Sequence, residues 1–126
     1  AWWDENGEFA PLHAINPLRL QFIKAHVNLE GLNVIDIGCG GGLLCESLAK
    51  AGSIVTGLDL APDSLAVAQQ HANKNDIKIN YINNNAEAFS EKKPEQFDLV
   101  TCLEMLEHVP DPASIVRACA ALAKPG

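Results

Sequence analysis

Lysine and arginine are scarce in this chain: nine stand against sixteen aspartates and glutamates in 126 residues, a formal net charge of −7. That balance leaves no basic surface to track a phosphate backbone, which argues against DNA or RNA as a partner. Long apolar runs are missing too. None approaches the roughly 20 residues needed to cross a bilayer, and no stretch reads as a secretory leader. Cysteine occurs only at positions 39, 45, 102 and 119, without CxxC spacing. The expectation is therefore reduced, buried thiols in a cytoplasmic protein, with neither zinc nor disulfides.

What the chain does have is apolar residues, 48% of the total, in a length suited to one domain. They fall into alternating strand and helix signals. Asn16-Pro17 reads as a helix start whose Leu18, Phe22 and Ala25 share a face against the sheet as far as about Val27. A strand is expected at about 33–37, then a helix at about 42–51 closed by Gly52 in a left-handed cap. A second strand follows at about 54–58 and a helix from Pro62 to about Asn73. Lys78 to Ile82 alternates as a third strand before an asparagine-rich loop. Phe97 to Cys102 reads as a fourth strand, and Asp111-Pro112 opens a helix with Ile115, Val116, Cys119 and Leu122 turned inward. Alternation of this kind predicts an α/β fold, a Rossmann-like parallel sheet covered by helices on both faces. The chain begins at Ala1 without methionine and ends on a Pro-Gly turn that would ordinarily lead into another strand. A piece of a longer enzyme is expected, with an open sheet edge through which copies could pair.

The segment from Asp36 to Gly42 joins the first strand to the next helix and carries glycines at 38, 40, 41 and 42. Glycines there let main chain approach a ligand at a helix N-terminus. Three readings compete: a dinucleotide site, an S-adenosylmethionine site, and a tight turn that binds nothing. A dinucleotide fingerprint asks for a third glycine where this chain has Leu43. Asp36 would repel a pyrophosphate and attract a cationic ligand. Asp59, 21 residues beyond Gly38, ends the second strand where an acid can accept both ribose hydroxyls. Acids on both sides of the loop favour S-adenosylmethionine.

The chain resembles class I S-adenosylmethionine-dependent methyltransferases and, more narrowly, the ubiquinone-biosynthesis O-methyltransferases. The resemblance is carried by Trp2-Trp3-Asp4, Gly7-Glu8-Phe9, Pro11-Leu12-His13, Ile15 to Arg19, Asp36 to Gly42, Thr56 to Asp59 and Glu104 to Pro112. It implies O-methylation of a polyprenyl hydroxyphenol and of a demethylated ubiquinol. It also implies that Gly38 sits under the amino-acid end of the methyl donor, with Gly40 beside it in the cofactor-binding loop, that Asp59 holds the ribose, and that Leu103 packs on the cofactor. Arg19 matches a cofactor-site position and would pair with the methionine carboxylate; the plainer alternative is a surface arginine lying over the sheet. Asn85 and Ala86 occupy the place where many methyltransferases put an acid near the adenine amine. A biosynthetic complex and the inner-membrane surface stand as further candidate partners.

Methyl transfer needs a deprotonated phenol, whose pKa is about 10. His108, with an intrinsic pKa of about 6.5, is the candidate base. Glu104, Glu107 and His108 are spaced i, i+3, i+4 and could share one side of a helical turn. Two carboxylates and an imidazole could hold a divalent ion, and the resemblance implies magnesium, with room for two catechol oxygens. The alternative is a pair of solvated carboxylates and a histidine that caps the turn. A ligating imidazole nitrogen cannot also take the proton, so the two roles of His108 compete. His26 and His71 read as surface or boundary residues, and His13 lies nearer the expected pocket mouth. Trp2 and Trp3 could close over a prenylated ring, touch a membrane or pack on the first helix.

Overall fold

The computed structural model describes residues 2–102 and 112–125. The elements in chain order are α1 (Ala10–His26), β1 (Asn33–Ile37), α2 (Leu43–Lys50), β2 (Ile54–Asp59), α3 (Pro62–Lys74), β3 (Asn80–Asn83), α4 (Ala86–Lys92), β4 (Leu99–Thr101) and α5 (Pro112–Leu122). The four strands are parallel in the order β3-β2-β1-β4. The chain therefore works outward from β1 to one edge, then crosses back to β1's other side for β4. Ligands of such sheets bind at the carboxyl ends of the strands where that reversal occurs.

Two-residue periodicity in β1 divides the core. Val34 packs with Leu44, Cys45, Leu48, Val55, Leu65 and Ala72 on the side of α2 and α3. Ile35 and Ile37 pack with Leu58, Ala86, Phe89, Ile115, Ala118 and Leu122 on the side of α4 and α5. A strand apolar on both faces is what a doubly covered parallel sheet requires. Asp36 is the polar member of that run and falls on the α2 side, in register with Gly57 of β2 and Thr101 of β4.

Several boundaries differ from the sequence expectation. Helix α1 starts at Ala10, with Pro11 in its first turn, and Pro17 lies inside it. Proline at the first turn costs no hydrogen bond, so the earlier proline is the natural start. Asn16 is consequently not a cap: its amide donates to Ser47 Oγ at 2.9 Å and fastens α1 to α2. The face of α1 that meets the core carries Leu20, Ile23 and Val27, whereas Leu18 and Phe22, expected inward, are 62% and 68% exposed. The third strand begins two residues and ends one residue later than expected, Asn80–Asn83. The asparagine-rich stretch is followed by α4, where Asn85 Oδ1 accepts from Ala88 N–H at 2.6 Å as an N-cap. Strand β4 is shorter than the expected 97–102, and Phe97 instead bridges Ala123. In α5, Ile115 and Leu122 are buried and Ala118 joins them, but Val116 is 54% exposed. Gly52 does close α2, at φ +98°, and all four cysteines are free thiols.

Candidate cofactor site

The glycine loop lies at the carboxyl ends of β1 and β2. Gly38 and Cys39 N–H both donate to Leu58 O, at 2.8 and 3.1 Å, which folds the loop across the end of β2. Gly40 and Gly42 adopt φ of +55° and +90°, a region where a Cβ is strongly disfavoured. Gly42 then serves as the N-cap of α2.

Asp59 organises this corner. Its Oδ2 accepts from Gly40 N–H at 2.8 Å, and its Oδ1 from Ala61 N–H at 2.8 Å. Its main-chain carbonyl accepts from Asn83 Nδ2 at 3.0 Å and from Asn84 N–H at 3.3 Å. One residue therefore ties the glycine loop, the start of α3 and the turn after β3 together. Each carboxylate oxygen keeps a lone pair beyond its main-chain donor, so the group can still accept from a ligand hydroxyl.

Asp36 is 4% exposed, with Oδ1 accepting from Thr101 Oγ1 at 2.8 Å and Oδ2 facing Cys45 Sγ at 3.7 Å. Burial raises its pKa to about 7, against the pull of those two hydrogen bonds; the negative charge of Asp59 raises it further and the positive charge of Arg19 lowers it. The group is poised between neutral acid and carboxylate at physiological pH. A cation arriving beside it would favour the carboxylate.

Arg19, Asp36, Gly38, Gly40 and Asp59 thus gather around one corner, with Arg19 brought within electrostatic reach of Asp36 by α1. Asn85 and Ala86 lie just beyond the turn that Asp59 holds. The Asn85 Oδ1 is committed to its cap and the Ala86 methyl is buried, so a ligand would meet main chain or the Asn85 amide N–H there. Leu103, Glu104, Glu107 and His108 lie outside the described residues. Among the described residues no three His, Cys, Asp or Glu side chains gather as a metal site.

Sequence reasoning missed the cover of this corner. The Trp2 ring lies against Gly40 and Gly41, so that a Cβ at either would collide with it. Trp2 also stacks on Phe9 at 3.9 Å and an interplanar angle of 9°. Trp3 Nε1 donates to Gly41 O at 3.0 Å, and its ring stacks on His71 at 3.6 Å. His13 Nε2 lies 2.7 Å from Trp2 O. Adjacent tryptophans and a string of side-chain-free residues were the available signals, but nothing in the spacing said that the two would meet.

Comparison with known proteins shows the family. Residues 35–126 match the family model described as a methyltransferase domain. The chain is 54% identical over 125 residues to the ubiquinone biosynthesis O-methyltransferase of Methylococcus capsulatus, covering 99% of this chain and 53% of that protein. It is 57% identical to the enzyme of the same name from Stutzerimonas stutzeri, covering 99% and 54%. The chain spans about half the length of these curated relatives. Among solved structures, magnesium protoporphyrin IX methyltransferase from Synechocystis with bound SAM superposes with a TM-score of 0.82 at 26% identity, covering 97% of this chain and 62% of that one.

Proposed function

Because the chain belongs to the methyltransferase-domain family, we propose that it is the methyl-donor-binding part of an S-adenosylmethionine-dependent O-methyltransferase of ubiquinone biosynthesis. Its acceptors are phenolic hydroxyls of polyprenyl hydroxyphenol and demethylubiquinol intermediates. The observation that carries the reading is the pair of acids flanking the glycine loop, Asp36 poised at a pKa of about 7 and Asp59 with one oxygen on the loop at Gly40 and the other on Ala61 at the start of α3, in a chain whose curated relatives bear that enzyme name. A dinucleotide site fits worse, since Leu43 replaces the third glycine and a diphosphate would lie against Asp36.

S-adenosylmethionine supplies the electrophilic methyl group when bound. The chain's own residues bind and orient. Arg19 pairs with the donor's carboxylate and Asp36 faces its cationic end. Gly38 and Gly40 admit its amino-acid portion, Asp59 accepts from the ribose hydroxyls, and the turn at Asn85 and Ala86 meets the adenine. Leu103 packs against the donor. At the acceptor side His108 takes the phenolic proton, and Glu104 and Glu107 offer the oxygen donors that magnesium prefers. In the competing role a ring nitrogen of His108 would complete that ligand set instead of taking the proton, and the ion would supply polarisation of two adjacent catechol oxygens. The reaction runs in the cytoplasm, against the inner membrane where a lipid-tailed substrate resides. Among the described residues no helix is long and apolar enough to cross a membrane. A biosynthetic complex and pairing through the open sheet edge are the protein partners this reading admits.

Titration calorimetry with S-adenosylmethionine and with NADH tests the donor. Binding of the sulfonium and not of NADH is expected; the reverse result overturns the proposal.

A further inference from the structure

Glu46 has no part in the site described above, yet it is a carboxylate buried to 1% exposure in the first two turns of α2. One oxygen, Oε2, meets His71 Nδ1 at 2.7 Å; the other, Oε1, is buried without a hydrogen-bond partner. Burying a carboxylate on a single partner is costly, and such an arrangement earns an explanation in what it orders. What it orders is visible one contact further on. The His71 ring, fixed by Glu46 on its edge, lies flat against Trp3 at 3.6 Å and an interplanar angle of 0°. The Trp3 N–H then reaches Gly41 O at 3.0 Å.

We propose that Glu46, His71 and Trp3 form a positioning latch in which the buried carboxylate sets the imidazole, the imidazole seats the indole, and the indole N–H fixes the Gly41 carbonyl of the donor loop. The latch draws on α2, α3 and the N-terminal strap, joining residues 25 and 38 positions apart. It also determines where Trp2 lies. With Trp3 anchored on one side and the Trp2 carbonyl held by His13 on the other, the Trp2 ring is pressed onto Gly40 and Gly41 and becomes a wall of the donor site. None of the three residues touches reacting atoms. Their effect falls on donor affinity.

The ligand side of this inference rests on the methyl-donor reading, while the latch itself is a statement about the free protein. Two measurements keep them apart. In the free protein, the Trp3 indole N–H resonance, identified with Trp2→Phe, is expected to move in His71→Ala and to stay in Glu46→Gln, which keeps an oxygen acceptor for the imidazole. An unmoved resonance in His71→Ala overturns the latch whether or not S-adenosylmethionine binds. In the binding assay, Trp3→Phe and His71→Ala each raise the Kd for S-adenosylmethionine about three- to tenfold, the range of one lost hydrogen bond. Turnover at saturating donor stays within about twofold, because a residue that only positions the donor acts on binding. The double variant is no weaker than the weaker single one, since both break the same chain of contacts. Unchanged Kd values, or effects that simply add, overturn it. Should His71→Ala fail to fold, His71→Gln, which keeps a donor for Glu46 and removes the ring beneath the indole, carries the same comparison.

Discussion

Burial of Asp36 between Thr101 and Cys45 makes it a reporter of both stability and ligand charge. Its folded pKa of about 7 lies above the ordinary 3.8, so between those values the folded state binds a proton that the unfolded chain releases. The Asp36 contribution to stability is therefore greatest below pH 4, declines as pH rises toward 7 and is flat above it, with a full excursion of up to about 4 kcal/mol. Asp36→Asn removes that slope and raises stability at pH 8 by about 1–3 kcal/mol, read from urea unfolding at pH 5 and pH 8. Ligand binding shows the opposite trend. A cationic ligand beside Asp36 favours the carboxylate and releases its proton, so affinity for S-adenosylmethionine should rise from pH 5 to pH 7 and level off beyond. A pH-independent affinity would mean that the cation does not face Asp36. Gly42 is the other decisive single residue: at φ +90°, with the Tyr81 hydroxyl where a Cβ would stand, Gly42→Ala should cost about 1–3 kcal/mol, measured by thermal unfolding.

At the scale of elements, the joints between helices and sheet are made by short polar side chains. Asn85 caps α4 through Ala88 N–H, and Asn85→Ala should lose about 1 kcal/mol, again by urea unfolding. That cap also shows where the sequence was legible and where it was not. The strands β1 and β2, apolar on both faces and followed by glycine or aspartate, announce themselves by run and punctuation. The α4 segment, Ala86–Lys92, carries one large apolar residue, Phe89, in a polar setting, so its periodicity is too thin to read and the stretch passed for an asparagine-rich loop. Helix α1 misled for the converse reason. Its apolar residues ring the helix, and only packing against α2 decided that Leu20, Ile23 and Val27 face inward while Leu18 and Phe22 do not. The site divided along the same line. Gly38, Gly40 and Asp59 could be placed because strand ends fix them, whereas the meeting of Trp3 with His71, and of His71 with Glu46, spans three elements and leaves no local pattern.

For the whole molecule, the proposed reading assigns donor binding to the corner around Asp59 and the acceptor chemistry to Glu104, Glu107 and His108. At the corner built by the ends of β1 and β2, Asp59 joins the loop, α3 and the turn after β3. Donor binding should therefore depend on Asp59 and be indifferent to His108. Asp59→Ala removes the carboxylate that accepts from the Gly40 and Ala61 main-chain N–H groups and, with it, the proposed ribose contact, so Kd for S-adenosylmethionine should rise by about tenfold to a hundredfold, the worth of charge-assisted hydrogen bonds. His108→Ala should leave that Kd within about twofold and abolish turnover of a catechol acceptor, because a lost base acts on the chemical step alone. Calorimetry on both variants beside a methyl-transfer assay separates the two effects. Turnover unaltered in His108→Ala would remove that imidazole from the mechanism. A Kd raised in that variant would instead make His108 itself part of the donor site, and the assignment of that imidazole to the chemical step alone would no longer hold.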